Sequence, residues 1–126
     1  MRKNNPWFHY AKEDFDTIKS LQKTNLYRSI CFHAQQTAEK SLKACLFAFE
    51  KPIPRIHDIS RLFLETELEI PDNLHQGDLE FLSSIYIETR YPPDIGLLPD
   101  SEPNVTDVNR ASKIAEIIFN LVKSIL

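Results

Sequence analysis

The chain has 126 residues, 42% apolar and 26% charged, the balance of one folded domain with a single core rather than of a disordered or membrane-embedded chain. Fifteen basic residues against 18 acidic ones give a formal charge of −3, which excludes a broad positive footprint for nucleic acid while leaving room for a local basic patch. Two glycines are too few for a phosphate-cradling loop of the G-x-G-x-x-G or Walker type.

The N-terminal stretch "MRKNNPWFHYAKEDF" is charged on both sides of its aromatic cluster, which argues against a secretory signal. No run of about 18 apolar residues marks a transmembrane span, so a cytoplasmic address is expected. A first helix is predicted from Pro6 to Lys23, with Asn5 as N-cap and Pro6 where its missing N–H does no harm. Trp7, Ala11, Phe15, Ile18 and Leu21 form its apolar stripe. A second helix is predicted from Leu26 to Phe49 behind Asn25 as cap, and "EKPIPRIH" stops it because Pro52 and Pro54 supply no backbone donor.

A short third helix should begin near His57 or Asp58, whose carboxylate can cap free amides, and turn Ile59, Leu62 and Phe63 inward. The fourth is expected from Leu74 to Arg90, with Phe81, Leu82 and Ile85 facing the core. Between Tyr91 and Val105, four prolines and one glycine forbid a helix, and such a long loop in a small domain is often functional. A last helix after Thr106 carries Val108, Ala111, Ala115, Ile118, Phe119, Val122 and Ile125 near the 3.6-residue period. The class is all-α: an antiparallel bundle of four helices plus a short one. Cys31 and Cys45, roughly 21 Å apart along one helix, cannot bond to each other and read as small core residues.

The second helix is the anomaly. At about 100° per residue, Tyr27, Ile30, Cys31, Ala34, Ala38, Ser41, Leu42, Cys45 and Phe49 share one arc, the core face. The other side holds Phe32, His33, Gln36, Glu39, Lys40, Lys43 and Phe47, a mixed patch that suits an interface with a second copy as well as a solvated face. Asp14 falls inside the stripe of the first helix and needs a partner, for which Arg90 is preferred over Tyr10 and Lys40.

Other chemistry is sparse. His9, His33, His57 and His75 are scattered without metal-ligand spacing, and no nucleophile elbow is present, so neither a metal nor a cofactor is expected. His57 beside Asp58 reads first as a cap arrangement. Arg90 and Tyr91, at the mouth of the proline-rich loop, could bind phosphate and stack on a base.

Taken together, "AKEDF", "AQQTAEKSLKACL", "RIHDISRLF" and "IETRYPPDI" followed by a final apolar helix resemble the stand-alone prokaryotic HEPN domains over nearly the whole chain. The resemblance implies an up-and-down four-helix bundle with an extra short helix, usually homodimeric. It also implies a minimal nucleotidyltransferase partner and membership of toxin–antitoxin-like modules. Active HEPN ribonucleases carry Arg followed after four to six residues by His; here Arg90 matches the Arg, but Ile95, Gly96 and Leu97 stand where the His belongs. Arg28 and His33 meet the bare spacing in another helix, roughly 140° apart on the wheel, and do not match the family's location.

The expectation is therefore a single domain over residues 1–126: a non-catalytic HEPN-type homodimer that binds a nucleotide, RNA or a nucleotidyltransferase partner. Lys40, Lys43, Arg90 and Tyr91 would contact phosphate or base, Gln36 and Glu39 would organise the groove, and Phe32, Gln36, Lys40 and Phe47 would line the dimer interface. Asp14, His57 and Asp58 would be structural polar groups. The alternative is a ribonuclease toxin acting through Arg90, Tyr91 and His57.

Overall fold

A computed structural model describes residues 4–90 and 102–126, with side chains as far as Tyr86 in the fourth helix. Its helices are α1 (Pro6–Leu21), α2 (Tyr27–Ala48), α3 (Ile59–Thr66), α4 (Gln76–Arg90) and α5 (Val105–Ile125), and no strand occurs among the described residues. The all-α class is as expected. The expected loop from Tyr91 lies outside the described residues up to position 101.

Asn5 starts α1 in two ways. Its side-chain oxygen accepts the Phe8 amide at 3.1 Å, while its Nδ2 donates to the Ala44 carbonyl at 2.9 Å, so the cap also pins α1 to the far end of α2. The start of α2 departs from expectation: Leu26 is the N-cap position and makes no side-chain bond. Thr24, not Asn25, supplies the nearby oxygen, accepting the Leu26 amide at 3.2 Å. At the other end Glu50 adopts φ 56°, and the Glu50 and Lys51 amides return to the carbonyls of Phe47 and Leu46. That pair closes the helix as a Schellman turn on a residue that is not glycine. Asp58 caps α3 by accepting the Arg61 amide. The last helix begins at Val105, two residues earlier than expected, because Asn104 and Asp107 form a reciprocal capping box.

Helix α2 lies at the centre, packed against all four others. Ile30, Leu42 and Leu46 from α2 meet Ile59, Leu62 and Phe63 of α3, Leu79, Leu82 and Ile85 of α4 and Ile118 of α5 in one core. Each of these side chains is almost wholly withdrawn from water, a burial of about 1.5–3 kcal/mol apiece. Ala34, Ala38 and Ala44 let the neighbours approach closely. On α1, Ala11 and Ile18 are buried, and Phe15 and Phe8 stack on Phe119 of α5. Phe49, expected in the core, is 40% exposed, because the helix has already ended beneath it.

Candidate functional site

The two-sided picture of α2 needs correction. With neighbours on most of its circumference, the helix buries Gln35, Thr37, Glu39 and Lys43 as well as its apolar arc. Two of the seven residues of the expected polar face, Glu39 and Lys43, therefore lie in an internal seam under α1 and the segment before α3.

The seam contains two sets of the same kind: a carboxylate clamped between a lysine and an imidazole. In the first, Lys40 Nζ donates to Asp14 Oδ2 at 2.7 Å and His33 Nδ1 lies 2.8 Å from Oδ1. Asp14 is 7% exposed, and the two cations or donors around it offset the cost of taking a carboxylate out of water. Lys40, the secondary expectation, thus fills the place assigned to Arg90, whose side chain lies outside the described ones; His33 was not foreseen as a partner. The Lys40 ammonium also sits 5.9 Å above the Tyr10 ring.

In the second set, Lys43 Nζ donates to Glu39 Oε2 at 3.0 Å, and His57 Nδ1 lies 2.9 Å from Glu39 Oε1. An ionised carboxylate only accepts, so both imidazoles carry their proton on Nδ1 and direct Nε2 away. The His57 ring stacks on Tyr86, with centroids 4.2 Å apart and planes inclined by 13°. Gln35 Nε2 donates to both Glu39 Oε1 and the His57 carbonyl, and Gln36 Nε2 donates to Gln35 Oε1 at 2.7 Å. One hydrogen-bonded chain therefore runs from the half-exposed His57 through two buried side chains to Gln36 near the surface.

This geometry divides the expected ligand contacts. Lys43 is a correction: its side chain is 6% exposed, paired with Glu39 and laid 5.3 Å over the Trp7 ring, so it offers no ammonium to a phosphate. Glu39 is likewise interior. Phe32, His33, Gln36 and Lys40 remain partly exposed on α2, with Phe32 edge-on to His33, and Phe47 is half-buried further along. Tyr91 lies outside the described residues. Arg28 is committed elsewhere, to Glu102 at 3.3 Å. Sequence reasoning missed Gln35 and Tyr86; Gln35 stands one helical turn before Glu39, a spacing that could have signalled their pairing.

A groove of about 400 Å³ beside α3, lined by Asp58, Arg61, Leu64, Ile70 and their neighbours, includes none of these side chains. Among the described residues no group of three His, Cys, Asp or Glu side chains could hold a metal ion, and no helix is long and apolar enough to cross a membrane.

The family model for the HEPN domain matches residues 5–125. The chain belongs to the HEPN family. Among sequence relatives of this HEPN chain is a Methanocaldococcus jannaschii protein named "Putative toxin MJ1304", 32% identical over 127 residues that cover 92% of the chain and 83% of the relative. Two solved structures share the fold. TT1696 from Thermus thermophilus superposes with a TM-score of 0.83 at 25% identity, all of both chains being covered. ST0689, described as an archaeal HEPN homologue, gives 0.73 at 28% identity over 98% of each chain.

Proposed function

We propose that this HEPN protein belongs to a toxin-like two-protein module and acts as a homodimer that binds a nucleotide, together with a minimal nucleotidyltransferase partner. The relative named as a toxin supports the module, and the family resemblance supports the partner. The observation that carries the binding role is the set His33, Gln36 and Lys40. All three are partly exposed on one helix, and each is held from behind by a buried or half-buried polar group, so they are oriented before any ligand arrives. Titration calorimetry with nucleoside triphosphates, alongside light scattering, tests it: heat of binding to a dimer is expected, and a monomer giving no heat with any of them would overturn it.

One observation favours a second reading. Glu39 orients His57, Tyr86 stacks against it, and its Nε2 is left able to take a proton, the arrangement a general base requires. Cleavage of RNA that disappears in both His57→Ala and Arg90→Ala would make the protein a ribonuclease of divergent site.

A further inference from the structure

From Leu62 to Thr89 the sequence carries seven acidic residues and neither lysine nor arginine, while its fifteen basic residues share the rest of the chain with eleven acidic ones. An apolar ridge stands at the start of that acidic stretch. Leu64, on the outer face of α3, is 73% exposed, and Ile70 beyond the helix is 39% exposed. Two grooves meet at Leu64: the one of about 400 Å³ described above also takes in Leu68 and Ile70, and a second of about 620 Å³ lies against Pro52, Ile53 and Pro54. We infer that this double groove is a docking surface for a basic amphipathic helix of another protein.

The shape argues for a helix. Leu64 is a single ridge with a hollow on either side, and apolar side chains at i and i+4 of a helix, about 6 Å apart, straddle such a ridge. The charge argues for a basic one. Between Glu50 and Asp72 stand six acidic residues and three basic ones, Lys51, Arg55 and Arg61. Two of the three are already committed: Arg61 Nε donates to Glu65 Oε1 at 3.3 Å, and Lys51 pairs with Glu67. Asp58, Glu69 and Asp72 have no cation partner among the described residues. Asp58 lines the first groove, and Glu69 stands between Leu68 and Ile70, two of its apolar residues. A negative rim repels phosphate, so neither a nucleic acid nor an anionic lipid surface fits it. A second copy fits no better, because a closed homodimer through this face would set acid against acid. The inference stands apart from the nucleotide-binding reading, since neither groove includes His33, Gln36 or Lys40.

The experiment titrates the full chain against three fluorescent synthetic peptides of about 14 residues and reads anisotropy. The first has leucine at i, i+4, i+7 and i+11, lysine at the flanking positions and alanine elsewhere; the second replaces its lysines by glutamate; the third scrambles the first so that no apolar face remains. The first is expected to bind about tenfold more tightly than either of the others, and more weakly as salt is raised. Leu64→Ser should weaken it about tenfold, and because that side chain packs on little in the folded chain, thermal melting should find the variant intact. Leu26→Ser, at an exposed apolar position outside both grooves, should leave binding unchanged. Equal binding of the first peptide and either control overturns the inference, as does no binding by any of them, or undiminished binding to folded Leu64→Ser. A dimer in light scattering that Leu64→Ser converts to monomers assigns the face to a second copy and overturns it too.

Discussion

Lys43 donates to Glu39 one turn before it on α2, at 3.0 Å, with both side chains only 6% exposed. This pair lies between Trp7 above and His57 beside it, and it is the most deeply withdrawn ionic contact described. Removing one partner strands the other. Lys43→Met is expected to lower unfolding free energy by about 3 kcal/mol in urea titrations, since Glu39 would keep a full charge with no cation. Replacing both, as Glu39→Gln with Lys43→Met, should recover part of that loss; a double variant no better than the single one would show that the charge is not the source.

Asn5 has two jobs that substitutions can separate. Asn5→Ala loses the cap of α1 and the tie to the Ala44 carbonyl and should cost about 2 kcal/mol. Asn5→Asp would rescue an ordinary N-cap, but here it sets a carboxylate against a carbonyl oxygen. It is expected to restore little, measured as the midpoint of thermal unfolding.

Burial pushes the Cys31 thiol up to about 12, the charge of Asp107 adding to it, and pushes Cys45 up to about 11 against a small opposing pull from Lys51. Both thiols are free and buried, so neither should react with a disulfide reagent at mildly alkaline pH until denaturant is added, when two should react. The unfolded chain ionises them near 9.0, lower than the folded one does. Their contribution to stability is therefore complete below that pH and lost as pH climbs toward the folded values. Replacing both by alanine should flatten the alkaline limb of stability.

Asp78 opens α4, and its carboxyl is held below its ordinary 3.8 first by the His75 amide, partly opposed by desolvation, and then by the Arg110 guanidinium. The folded protein thus releases this proton at lower pH than the unfolded chain. The associated stability is present above about pH 3.8 and disappears as acid carries the folded group through its depressed value. Asp78→Asn should be less stable than the parent at neutral pH and indistinguishable from it in strong acid, by denaturant titration at each pH.

The elements were largely legible because their signals are local. Asn5 and Pro6 mark α1, Asp58 marks α3, and the apolar period of α5 survives intact in the buried set Val108 to Val122. Boundaries slipped where the cap was backbone-led, as at Leu26, or where an Asn-to-Asp spacing of three went unread, as at Asn104 and Asp107. The seam was less legible for a different reason. A wheel divides a helix into inside and outside, but α2 is enclosed on most sides, so Glu39 and Lys43 lie on the polar arc and yet in the interior. Asp14 was recognisable as needing a partner. Which one it found depended on how α1 docks across α2, and His57 reaches Glu39 across 18 positions that carry no periodic signal.

The hub position of α2 has a consequence for fragments of the chain. Any piece that keeps this helix but lacks a neighbour uncovers the same alanine-lined flanks, and any piece without it has nothing to assemble on. Proteolytic cuts between α2 and α3 should therefore yield halves that re-associate when mixed and aggregate when separated, the N-terminal half being the stickier of the two.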